Sequence, residues 1–159
     1  MEKLKVNLEA LKQEHWSDKE LENAKLVTDF VQHIMNDHDF DYVLKEYGQS
    51  NYTQHNRNIP DGIKGLVGFL QKFVKNFPEY TYDVKRILAD GDYIMFHSHA
   101  TLKKEHRGND KRGWNIIDTW KIKDGEIVEH WDSIQSLDWF MRFYAFMSGG
   151  HIRNTNGVF

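Results

Sequence analysis

Two histidines, His97 and His99, stand two residues apart inside the mostly apolar run Tyr93–Leu102. On a β-strand such residues point the same way, so the pair shares a face with Tyr93, Met95 and Thr101. Histidines so placed can donate to a developing oxyanion or orient a carbonyl; the plainer reading is a polar sheet face. In "NIIDTWKI" Asp118 shares its face with Ile116, Trp120 and Ile122, which sets a carboxylate among bulky hydrophobes. Burial disfavours the ionised form and raises the pKa, which suits general acid or base work near neutrality. The competing reading is an aspartate at a solvated sheet edge, or one held by an arginine. In "EHWDS" His130 and Asp132 share one face and Glu129 and Trp131 the other, and alternation alone does not say which looks into a cavity. Finally, "YTQHN" places Gln54 and His55 just before Pro60, where a short strand running into a loop can form a pocket rim. Glutamine, histidine and asparagine are also ordinary turn residues.

The elements that must position these groups follow from periodicity. Leu4, Leu8 and Leu11 predict an N-terminal helix within residues 1–16. Ser17 and Glu20 fit a capping box opening a long helix through Leu21, Ala24, Val27, Val31 and Ile34. Phe40, Val43, Leu44 and Tyr47 predict a shorter helix ending at Gly48, and Ile63 to Phe77 another that Pro78 stops. Beyond Pro78 the period changes to two. "YTYDVKRILA", "YIMFHSHATL", "WNIIDTWKIK" and "EIVEHWDSIQ" read as strands, with hairpin turns at "DGD" and "DG". Helices first and an antiparallel meander second make an α+β arrangement with the helices on one sheet face. Ile94, Phe96, Ala100 and Leu102 should pack on those helices, leaving His97, His99, Asp118 and Trp120 to line one cavity on the other side.

Composition limits the partners. A chain of 159 residues, 40% apolar and 14% aromatic, predicts a single packed domain. The formal charge of −3 offers no basic footprint for nucleic acid. With no cysteine, disulfides and thiolate sites are excluded and a reducing cytoplasm is allowed. There is no secretory-type N-terminus and no apolar run long enough for a membrane span. The expectation is therefore a cytoplasmic protein without nucleic-acid or membrane partners. Leu137, Phe140, Tyr144 and Met147 form a helical stripe that Trp139, Phe143 and Phe146 thicken. So large an apolar patch predicts a homodimer contact or a lid.

"GDYIMFHSH" followed by Glu105 resembles the first half of the metal motif of cupins, whose histidines and glutamate hold iron, manganese or zinc. Glu105 comes one or two residues too late, and the second half of that motif needs a proline where this chain has none after Pro78. The alternative of a cupin-like enzyme using His97 and His99 therefore ranks below a site with no metal and no organic cofactor.

"YTQHNRNIPDG", "HSH", "IIDTWKIKDGEIVEHWDSIQ" and the terminal "NTNGVF" together resemble the SnoaL-like, polyketide cyclase-like branch of the nuclear transport factor 2-like superfamily. The likeness is strongest to its predicted aldol-condensation-catalysing subgroup and runs from about residue 20 to 136 within one domain, 1–159. "DGEIVEHWD" is the most specific piece, with Glu126 where a lysine is usual. The resemblance implies a cone-shaped α+β fold, a strongly curved sheet around an apolar pocket, and a homodimer. It maps the acid/base aspartate onto Asp118 and an assisting polar pair onto His97 and His99, with residues 137–159 as an aromatic C-terminal helix and tail. The implied activity is acid/base chemistry beside the carbonyl of a small apolar ligand, such as aldol-type cyclisation, isomerisation or a related lyase reaction. Trp120, Trp131, Gln54, His55, Tyr93, His130 and Asp132 are the expected pocket residues. A non-catalytic small-ligand-binding protein of the same fold is the alternative.

Overall fold

The protein is described by a computed structural model covering residues 3–149 and 151–158. The N-terminal helix is one turn, α1 (Leu8–Leu11), capped by the Asn7 side chain on the Ala10 amide. That is shorter than the leucine spacing predicts, and residues 1 and 2 of the predicted segment lie outside the described residues. The capping box forms as predicted: Ser17 accepts from the Glu20 amide while the Glu20 carboxylate accepts from Ser17 N. α2 (Asp18–Val31) then buries Ala24, Val27, Phe30 and Val31. It widens into a π-helical stretch at Gln32–Asp37, which His38 leaves in the left-handed conformation, φ 52°. α3 (Phe40–Tyr47) ends at Gly48, which stays right-handed rather than adopting the left-handed cap its type allows. The strand predicted at "NYTQHN" is two residues long, β1 (Thr53–Gln54), and α4 (Gly62–Asn76) follows.

Four long strands complete the fold: β2 (Thr81–Asp90), β3 (Tyr93–Thr101), β4 (Trp114–Lys123) and β5 (Glu126–Ser136). The sheet order is β1-β5-β4-β3-β2, antiparallel except for the parallel β1–β5 pair. Asp124 and Gly125 take φ of 53° and 79°, the left-handed pair a tight hairpin turn requires. The long 103–113 connection returns to the sheet at Gly113 (φ 83°), where a Cβ would sit 2.2 Å from the Ala100 carbonyl oxygen, so no side chain fits. Register shifts between Val84 and Arg86 and between Lys121 and Ile122 bend the sheet, as bulges do. Its inner face carries Ile87, Ile94, Phe96, Ala100, Ile116, Trp120, Ile122 and Ile127 into one core with the helices. The last helix, α5 (Trp139–Ser148), buries Met141 and sets Tyr144 against Phe73, Phe77 and Trp114. It leaves Trp139, Phe140, Phe143, Phe146 and Met147 exposed, the patch the aromatic run predicts. Among the described residues, no helix is long and apolar enough to cross a membrane.

Candidate active site

Asp118 is buried at the middle of β4, 1% exposed. Antiparallel partners point to the same face, and the register pairs Asp118 with Phe96 on β3 and Asp132 on β5. Its face is therefore the helix-covered one. One carboxylate oxygen, Oδ1, lies 3.1 Å from Nε2 of His130, the residue paired with Trp120 on β5. The other oxygen, Oδ2, is buried without a hydrogen-bond partner among the described residues, as are Trp120 Nε1 and Ser98 Oγ. An unpaired buried polar atom costs about 1–3 kcal/mol, and three of them lie on this one face. Burial pushes the Asp118 carboxyl up to about 6; the His130 contact pulls the other way and the Asp132 charge adds to the rise.

His130 is held from its far side. Its Nδ1 lies 3.1 Å from Oε1 of Gln54, which is fully buried on β1, and Gln54 Nε2 donates to the Tyr52 hydroxyl at 3.2 Å. Trp120 packs on the His130 ring with centroids 5.1 Å apart, and Phe96 meets Trp120 edge-on at 5.2 Å. Asn56 Nδ2 reaches both Asp132 oxygens at 2.8 Å. Thus β4, β5 and the short β1 bring together four expected residues, Asp118, Trp120, His130 and Gln54, with Asp132 at the margin.

The other expected residues fall elsewhere. His97 and His99 do not share the Asp118 face: Ile117 and Asn115 are their partners, on the opposite face of the sheet. There His97 lies between Arg86 Nη1 at 2.9 Å and Asn115 Oδ1 at 2.6 Å, and His99 Nε2 donates to the Arg112 carbonyl oxygen. Both border an open cleft of about 310 Å³ with Lys85, Asp110 and Leu137. The physical reason is strand register. The helices cover the face that carries Phe96, Asp118 and Trp120, so the carboxylate lies in the core and the histidine pair lies outside it. Tyr93, Trp131 and His55 sit on the outer face too: His55 stacks on Trp131 at 4.4 Å and meets Glu129 Oε2 at 3.2 Å, while Tyr93 lies beside Trp131 and Lys121.

A cation does not suit the His97 pair, because the Arg86 guanidinium already faces His97 Nδ1 and Glu105 instead lies beside Lys103 and His106. Asp118, His130 and Asp132 each bring one ligand atom within 4.8 Å of the others; His130 Nε2 already meets Asp118 Oδ1, and both Asp132 oxygens accept from Asn56. Elemental analysis of the purified protein is expected to find no stoichiometric zinc, iron or manganese. About one metal per chain, lost in His97→Ala or His130→Ala, would overturn that.

Two features were missing from the sequence reading: Asn56 as the clamp on Asp132, and the role of the tail. Asn154 Nδ2 donates to the carbonyl oxygens of Asn56 (2.9 Å) and Ile59 (2.7 Å), and Asn156 Nδ2 donates to that of Gln54 (2.8 Å). With Arg153 N on the Arg57 carbonyl oxygen, the tail ties down the loop that carries Gln54 and Asn56. The "NTN" spacing was the available signal: two amides two residues apart in an extended segment face one way. Asn154→Ala leaves two carbonyls without their donor and is expected to cost about 1–3 kcal/mol, read as a lower urea midpoint. An unchanged midpoint would mean that the tail is not a brace.

A SnoaL-like domain matches residues 27–130. The chain belongs to the SnoaL-like family. Solved structures agree on the fold. A candidate polyketide cyclase from Bacillus cereus ATCC 10987 is 21% identical, with a TM-score of 0.64 over 88% of this chain and 89% of that one. A candidate hydroxylase from Streptomyces galilaeus is 19% identical, TM-score 0.59, over 86% and 89%. A candidate SnoaL-like polyketide cyclase from Jannaschia sp. CCS1 is 14% identical, TM-score 0.62, over 91% and 100%. Among proteins of curated function, none matches the sequence. The SnoaL-like match ends at His130, so it contains both Asp118 and its histidine partner.

Proposed function

We propose that this SnoaL-like protein is a single-domain enzyme that moves a proton beside a carbonyl group, without metal or organic cofactor. The observation that carries this reading is the Asp118 carboxyl. It is buried, raised to about 6, held by His130 through one oxygen and unpartnered at the other. In the proposed step Asp118 Oδ2 takes a proton from the carbon next to the carbonyl. The C–H bond breaks, an O–H bond forms, and the electron pair moves to the carbonyl oxygen. Trp120 Nε1, the buried donor two residues along the same face, stabilises that oxygen. The enolate then attacks a second carbonyl or is reprotonated elsewhere, and the proton on Asp118 returns to the product. The surrounding Tyr52, Tyr82, Phe96 and Ile116 favour a flat, apolar substrate. Because Asp118 is enclosed, substrate reaches it when the covering chain opens.

The test is solvent exchange. Aromatic 1,3-dicarbonyl compounds, whose central carbon is acidic, are incubated with the protein in D2O and followed by proton NMR. Catalysed loss of the central C–H signal supports the proposal. A dicarbonyl that binds without accelerated exchange would instead make the chain a ligand-binding member of its family. We propose also that the exposed aromatic face of α5 pairs with its copy in a homodimer, since so large an apolar patch is unusual on a monomer.

A further inference from the structure

Gln54 has both ends of its amide committed, and this bears on where the His130 proton sits. The Asn56 backbone N–H points at one end of the amide from 2.8 Å. An N–H donates, so the amide atom facing it is the oxygen, and the amide cannot be turned round without losing that bond. The same oxygen faces His130 Nδ1 at 3.1 Å. An oxygen with no hydrogen of its own accepts, so Nδ1 must carry one. We infer that Gln54 is a positioning residue that locks His130 in the Nδ1–H form and thereby keeps a proton between His130 Nε2 and Asp118 Oδ1.

The consequence follows from the neutral ring. A histidine with its one hydrogen on Nδ1 presents a lone pair at Nε2, 3.1 Å from Asp118 Oδ1. A lone pair facing a carboxylate repels it, so the pair holds on to a shared proton, either as Asp118–OH···Nε2 or as carboxylate and imidazolium. Only the carboxylate–imidazolium form leaves Oδ2 basic, and that is the form the proposed reaction uses. The other titratable groups turned toward the pair are Asp132 on β5, Tyr52 before β1, Tyr80 just before β2 and Tyr82 on it. Asp61 accepts from the Gln54 backbone N–H on the outer side.

The inference rests on the acid/base reading of Asp118 for its meaning but not for its test, since ring protonation is read without substrate. In full-length protein with 15N-labelled histidine, His130 Nδ1 is expected to show a one-bond N–H coupling across the whole pH range in which the fold persists. Gln54→Met, close in shape and lacking the acceptor, is expected to move the neutral ring's hydrogen to Nε2. It should also lower the pH at which the pair gives up its shared proton by about one unit or more. Gln54→Glu restores an acceptor and should restore the Nδ1–H signal. A wild-type ring with a bare Nδ1, or a Gln54→Met ring indistinguishable from wild type, would overturn the assignment. Should Gln54→Met fail to fold, the wild-type spectrum and Gln54→Glu decide it.

Discussion

Asp118→Asn is expected to slow dicarbonyl deuterium exchange by about 10²–10⁴-fold, the contribution of a positioned general base, and to remove a slope from the pH dependence of stability. The sign follows from the raised carboxyl. Asp118 titrates near 6 in the folded chain and near 3.9 in an unfolded one, so between those values the native state binds more protons. Wild-type stability therefore falls as pH rises from about 4 to about 6, and above that the full penalty of an ionised buried carboxylate remains. The difference corresponds to about 3 kcal/mol, on the order of 1.4 kcal/mol for each tenfold shift in proton affinity. Asparagine does not ionise. Its amide nitrogen, placed where Oδ2 lacks a partner, has a cost that is the same at every pH and so cancels in the comparison. The stability of Asp118→Asn relative to wild type should improve by about 2 kcal/mol between pH 4, where an unfolded aspartate is already half ionised, and pH 7.5, measured by urea unfolding at both. A constant difference would mean that the carboxyl is not strained by burial, and the acid/base assignment would lose its physical basis.

Cutting the chain after Ser136 is the second large effect. The cut removes buried Met141, whose kind of side chain is worth about 2–5 kcal/mol in a core. Tyr144, which covers Phe73, Phe77 and Trp114, goes with it. The Asp138 contact to the Gly113 amide and the Asn154 and Asn156 donors are lost as well, at about 1–3 kcal/mol for each buried group left unpaired. These losses together rival the 5–15 kcal/mol that separates folded from unfolded domains. The truncated chain is expected to aggregate or to lose its far-UV signal at 25 °C, while light scattering of the intact chain gives a dimer. Trp139→Ser with Phe146→Ser tests the dimer alone, since both side chains are exposed, at 76% and 82%. That variant should fold and shift toward monomer. An intact chain that is monomeric, and an unchanged monomer after truncation, would show that the segment is neither interface nor core.

Much of the chain was legible before its structure. The Ser17–Glu20 capping box, the Pro78 stop, the "DG" hairpin and the four long strands are local events, set by residues within a few positions of one another. The burial of Asp118 was legible for the same reason: Ile116, Trp120 and Ile122 share its face and drag it inside. The motif likeness pointed to the SnoaL-like fold, and the domain match agrees. Boundaries set by packing came out less well. α1 is one turn and buries none of its residues, and β1 is two residues because only Thr53 and Gln54 fall in register with β5.

What the sequence determined by itself is which residues travel together: Asp118 with Trp120, His130 with Asp132, and His97 with His99, each pair two apart on a strand. Tertiary structure decided which pairs meet. Alternation is symmetric between the two faces of a strand, so it groups side chains without saying which group faces inward. Strand register aligned Asp118 with Phe96 rather than with either histidine, and the helices packed on the face that carries both. The contacts that complete the site span 76 positions from Gln54 to His130 and from Asn56 to Asp132, and 98 from Asn56 to Asn154. No local preference specifies such pairings; the folded chain's packing does.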